Sequence, residues 1–146
     1  GFEYRYYDDF GVSRTYGFER EHLGHDMMGQ IGTPVIAVES GYVEALGWNQ
    51  YGGWRIGIRS PSGGYFYYAH LAEYAKDFQI GETVSAGTFL GFMGDTGYSD
   101  VEGTTGNFAV HLHMGIYLND KDGTEFSVNS YPMLSYLWER QGGALR

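Results

Sequence analysis

The chain predicts a mainly β fold of short antiparallel strands with one C-terminal helix. Three observations carry this. Short runs rich in β-branched and aromatic residues alternate with turn residues along most of the sequence. Gly is abundant at 24 of 146 residues against only 3 Pro, with no triplet period, a pattern of many tight turns rather than of collagen or a linker. Helical periodicity occurs at one place only, near the C-terminus.

Taken in order, Thr33–Val38 and Tyr42–Trp48 are β-rich runs separated by Ser40-Gly41, which predicts a hairpin. Trp54–Arg59 alternates apolar with polar or small side chains, breaks at Ser60-Pro61-Ser62-Gly63-Gly64 and resumes in Tyr65–His70, a second predicted hairpin. Leu71–Phe78 is read as a turn or short helix. Thr88–Met93 predicts a short strand, and Ala109–Leu118 a long one that ends in the turn Asn119-Asp120-Lys121-Asp122-Gly123. At 132–141 Met133, Leu134, Leu137 and Trp138 share a helical face, with Gly142-Gly143 as the stop, so this helix is expected on the sheet edge. No repeat or linker divides the chain, and residues 1–146 are read as one domain.

Composition narrows the function. The 14 Tyr and 9 Phe indicate a folded globule, far from the apolar-poor composition of disordered chains. A formal charge of −9 with 9 Lys and Arg residues argues against nucleic acid, whose phosphates need a basic surface. No run approaches the roughly 18 apolar residues of a membrane span, so no membrane contact is expected. The chain starts without Met, which suggests a piece of a longer secreted or anchored protein. With no Cys, any metal must be held by His and carboxylate.

Four of the five His residues fall in three short motifs: His22-x-x-x-Asp26, Tyr68-Ala69-His70-Leu71 and His111-Leu112-His113. In a strand, residues two apart lie on one face, roughly 7 Å apart. His111 and His113 therefore face one site, and Leu112 and Met114 face the core. His22 and Asp26 span about 13 Å if extended, near the limit for sharing an ion with bonds of about 2 Å, so a bend at Gly24 is required. Two imidazoles and a carboxylate leave the fourth tetrahedral position to water, the arrangement of hydrolytic zinc. The remaining His residues are then available for proton transfer and oxyanion stabilisation. Spacing alone leaves His111 and His113 interchangeable.

These motifs, with Gly32-Thr33-Pro34-Val35 and Gly91-x-x-Gly94-x-Thr96-Gly97 in the same order, resemble the LytM/lysostaphin-type zinc metallopeptidases, peptidase family M23, over about residues 9–118. The resemblance implies a small β-sheet metallopeptidase domain with an open groove. It implies one zinc ion per chain, held by His22, Asp26 and His113, with His70 and His111 catalytic. The expected substrate is a peptidoglycan cross-link or bridge peptide. The expected enzyme is a monomeric zinc endopeptidase in the cell envelope or outside the cell, with His111 as general base and His70 steadying the oxyanion, or the two roles exchanged. The alternative is a latent or regulatory wall-binding module that retains zinc.

The sequence departs from the family pattern just before the His pair. Ser-Thr-Gly-Pro or similar often stands there, whereas this chain reads Thr105-Gly106-Asn107-Phe108-Ala109-Val110. The long polar stretch between Gly94 and Phe108 is read as a groove wall, and Tyr68, Tyr98 and Asn107 are its candidate substrate contacts. His25 stands where the family more often has an apolar residue and is read as a surface or supporting histidine.

Overall fold

The computed structural model describes residues 5–6, 13–15, 19–21 and 24–140. Strand accounts for 47% and helix for 7%, so the mainly β expectation holds. In chain order the elements are β1 (Arg5–Tyr6), β2 (Ser13–Thr15), β3 (Glu19–Glu21), β4 (His25–Met28), β5 (Pro34–Ile36), β6 (Gly41–Asn49) and β7 (Gly53–Arg59). These are followed by β8 (Tyr65–Tyr74), β9 (Thr83–Val84), β10 (Phe89–Met93), β11 (His111–Asn119), β12 (Glu125–Val128) and α1 (Tyr131–Arg140).

One large sheet runs in the order β1-β4-β11-β8-β7-β6-β9, with β10 paired to β8 and β5 and β12 paired to β11; β2 and β3 pair separately. Every pairing between these strands is antiparallel. One sheet face is closed by apolar side chains. Val43, Ile56, Ile58, Leu71, Leu90 and Met114 are at most 1% exposed and belong to one core cluster, which removes them from water at a gain of about 1.5–3 kcal/mol per large side chain.

The second hairpin forms as expected, β7 pairing with β8. The first does not. β5 pairs with β10, and β6 turns away to pair with β7 and β9. Ser40-Gly41 is a corner between different parts of the sheet, because turn residues specify a change of direction and not which strand lies alongside. Leu71–Phe78 is also corrected. The strand continues to Tyr74, since Leu71 is held between Trp54 of β7 and Met93 of β10, and pairing on both edges overrides local preference.

The turn after β11 is capped by Asp120, whose carboxylate accepts the N–H groups of Asp122 and Thr124 at 2.9 Å. The returning β12 was not foreseen. At α1 the Asn129 side chain accepts the Tyr131 N–H at 2.9 Å, capping the helix start. The helix meets the sheet at β4 through Tyr131 and His25, whose ring centroids are 5.4 Å apart. Of its expected apolar face, Leu134 is half-buried and Met133 exposed; the side chains of Leu137 and Trp138 lie outside those described.

Candidate active site

The site is built where β4, β11 and β8 lie side by side. Asp26 of β4 and Ala69 of β8 are the register partners of His113. Directly paired residues on neighbouring strands project from the same face, so Asp26 and His113 stand next to one another. Asp26 Oδ1 is 3.1 Å from His113 Nδ1 and 3.6 Å from His111 Nε2. The alternation expected for β11 is observed, with Leu112 and Met114 in the core.

The chain bends at Gly24 and β4 starts at the next residue, which agrees with the spacing argument. Gly24 also has a steric role. A Cβ there would lie 2.6 Å from His113 Cε1, 2.7 Å from its Nε2 and 2.7 Å from the Met114 carbonyl oxygen. The backbone thus runs against the edge of the imidazole opposite the one that faces Asp26. His22 lies outside the described residues.

His70 reaches this face through an irregularity. Trp54 pairs with Leu71 and Ile56 with Tyr68, so β8 carries one extra residue, and His70 adopts a left-handed φ of 64°. Strict alternation would send Tyr68 and His70 to one face. The bulge separates them, re-aiming a side chain as bulges beside active sites do. His70 turns to the His cluster, its ring 4.6 Å from that of His111 and 6.1 Å from that of His113.

Tyr68 consequently fails as a substrate contact. It is 1% exposed in the core, with its hydroxyl accepting the Val38 N–H at 2.9 Å. Tyr98 stays at the site, half-buried and stacked on His70 at 5.9 Å and 23°. Asn107 is exposed, and its amide donates to the Gly97 and Tyr98 carbonyls at 3.3 Å, so it fastens the loop. His25 is fully buried on the opposite face, paired with Met114; it is not a surface residue.

Backbone carbonyls fix the tautomers of both remaining His residues. His70 Nδ1 is 2.8 Å from the Thr96 carbonyl and His111 Nδ1 is 2.7 Å from that of Ala109. A carbonyl only accepts, so each Nδ1 carries the proton and each Nε2 offers a lone pair. Burial, and then the neighbouring His111 and His113, hold His70 well below the usual histidine range. Thr96 was visible in a motif, but its role was not. Its hydroxyl donates to the Leu71 carbonyl at 2.8 Å and accepts the Trp54 N–H at 3.1 Å. Tyr51, Gly52 and Tyr67, with Ala69, His70 and His113, line a cleft of about 50 Å³ beside these rings. Nothing in the sequence singled out Gly52.

The donor chemistry fits zinc. A tetrahedral ion with bonds of about 2.0 Å separates its ligands by about 3.3 Å, close to the 3.1 Å between Asp26 Oδ1 and His113 Nδ1. The sequence model of Peptidase family M23 matches residues 20–125. The chain belongs to peptidase family M23. This is a family of zinc-dependent peptidases. An L-Ala–D-Glu endopeptidase of Bacillus subtilis (strain 168) is 43% identical over 94% of this chain, which spans 41% of that protein's length. Among solved structures, a lytM protein of Ruminococcus gnavus ATCC 29149 superposes with a TM-score of 0.77 at 49% identity, covering 90% of this chain and 53% of that one. The catalytic domain of lysostaphin from Staphylococcus simulans, an antimicrobial peptidase, does so with a TM-score of 0.68 at 30% identity, covering 90% and 92%.

Proposed function

We propose that this M23 domain is a zinc-dependent endopeptidase that hydrolyses amide bonds in the peptides of bacterial peptidoglycan. His22, Asp26 and His113 would hold one zinc ion. The observation that carries the reading is the convergence of Asp26 Oδ1 and His113 Nδ1 at 3.1 Å, beside two His residues whose Nε2 lone pairs are set by the backbone. The similarity to an L-Ala–D-Glu endopeptidase and to lysostaphin supports a wall peptide as substrate. Such a substrate puts the site of action in the cell envelope or outside the cell, and a site whose residues all come from one chain suits a monomer.

When bound, zinc supplies Lewis acidity, which brings the pKa of a water toward about 7 and polarises a carbonyl. The protein supplies the rest. His111 Nε2 faces the Asp26 carboxylate at 3.6 Å, placing it to take a proton from an attacking water as general base. His70 begins neutral with its own Nε2 as acceptor. It steadies an oxyanion only after taking up a proton from solvent, a charge that burial and the neighbouring His111 and His113 oppose and Asp26 favours. The left-handed backbone at His70 and the Thr96 carbonyl hold the ring ready, so little reorganisation is needed as charge develops.

The test is to incubate the zinc-loaded chain with peptidoglycan of several cross-link types and with short L-Ala–D-Glu and oligoglycine peptides, reading products by mass spectrometry. Cleavage at one kind of amide bond, abolished by a chelator and restored by zinc, is expected. Intact substrates throughout, with zinc bound, would overturn the proposal in favour of a wall-binding module.

A further inference from the structure

The four residues Asn107-Phe108-Ala109-Val110 lead from Gly106 into the strand that begins at His111. Their position is closely set. The Gly106 N–H donates to the Asp95 carboxylate at 3.0 Å, the Asn107 amide holds the Gly97 and Tyr98 carbonyls, and the His111 N–H donates to the Gly94 carbonyl at 3.2 Å.

Two members of this segment act on the His pair. Ala109 provides the carbonyl that holds His111 Nδ1 at 2.7 Å. Phe108 provides a ring whose centroid is 4.5 Å from that of His70, 5.0 Å from that of His111 and 5.2 Å from that of Tyr98. These separations lie in the contact range of aromatic pairs. Each catalytic imidazole is tied to the backbone through one nitrogen, and a single hydrogen bond leaves the ring free to tilt about it. A third ring packed against both removes that freedom. Phe108 is half-buried, so it also keeps water from that side of the pair.

We infer that Phe108 is a positioning residue: it fixes the relative tilt of His70 and His111, and the fastened loop delivers it. Phe108 makes no proton transfer of its own. The kinetic part of the test rests on the endopeptidase reading above, whereas the spectroscopic part does not.

The experiment compares the full chain with its Phe108→Ser and Phe108→Leu variants at constant pH, measuring kcat and KM, zinc content and histidine ¹⁵N spectra. Removing the ring is expected to lower kcat about tenfold or more, within the range that proton-transfer groups contribute, with KM and zinc content within about twofold of the parent. The Leu variant keeps apolar volume and should fall between the two. The ¹⁵N signals of His70 and His111 should show the Nδ1–H tautomer in the parent and move toward a tautomer average in Phe108→Ser. Unchanged kcat with an unchanged ¹⁵N pattern overturns the inference, as does loss of zinc in step with kcat, which would mark a merely structural role. If Phe108→Ser does not fold, Phe108→Leu decides, and parental kcat and spectra in it overturn the inference. A parent without activity would refute the endopeptidase reading alone, leaving the ¹⁵N comparison to judge Phe108.

Discussion

Asp26 and His113 are direct cross-strand partners on β4 and β11, and their Oδ1 and Nδ1 atoms lie 3.1 Å apart. The sheet register itself therefore brings a carboxylate and an imidazole 87 residues apart side by side. Changes that disturb the register or the seating of His113 should act on metal before they act on fold.

Gly24→Ala is the sharpest such change. The added methyl meets both His113 ring atoms and the Met114 carbonyl within 2.7 Å, and of these only the ring can move. Overpacking of this kind costs about 1–3 kcal/mol. Zinc affinity, measured by competition with a chromogenic chelator, should fall about tenfold or more while the circular dichroism of the zinc-free protein is kept.

Thr96→Val removes a hydroxyl that serves the Leu71 carbonyl and the Trp54 N–H in a residue 3% exposed. Two backbone groups lose their partner, at about 2–3 kcal/mol, and the melting temperature should drop by about 5–10 °C. Thermal unfolding checks this. Since the Thr96 carbonyl also holds His70, the variant should lose kcat more than it raises KM.

Tyr68 makes the stability sensitive to alkali. Burial pushes its hydroxyl up to about 12, against about 10 in the unfolded chain. Between pH 10 and 12 the unfolded state releases this proton while the folded state keeps it, so stability falls as pH rises, by up to about 3 kcal/mol. Below pH 10 the group contributes no pH dependence. Tyr68→Phe should be about 1 kcal/mol less stable at neutral pH through loss of the Val38 hydrogen bond. It should also lack this part of the alkaline loss, as urea unfolding at pH 9 and 11.5 would show.

Local periodicity made part of this legible. Alternation alone placed His111 and His113 on one face and Leu112 and Met114 on the other, and spacing alone demanded the bend at Gly24. What depends on partners distant in sequence was not legible: that β5 pairs with β10, that β4 lies beside β11 and sets Asp26 opposite His113, and that β10 holds Leu71–Tyr74 as strand, with β7 on the other edge at Leu71. The bulge at His70 is the instructive case. A non-glycine residue with φ of 64° leaves no compositional mark, yet it sends Tyr68 to the core and His70 to the site. Phe108 was visible only as an apolar residue in a polar loop. Its contact with the His70 and His111 rings depends on where Asn107 fastens that loop.

Zinc stoichiometry in a set of single variants separates the proposed ligands from the proposed catalytic His residues. The parent, His70→Ala and His111→Ala should each bind one zinc per chain by metal analysis after dialysis, with both variants nearly inactive. His22→Ala, Asp26→Ala and His113→Ala should bind at least about a hundredfold more weakly, in keeping with loss of one of three protein ligands. Loss of zinc from His111→Ala together with its retention by His113→Ala would make His111 the ligand and overturn the assignment of His113.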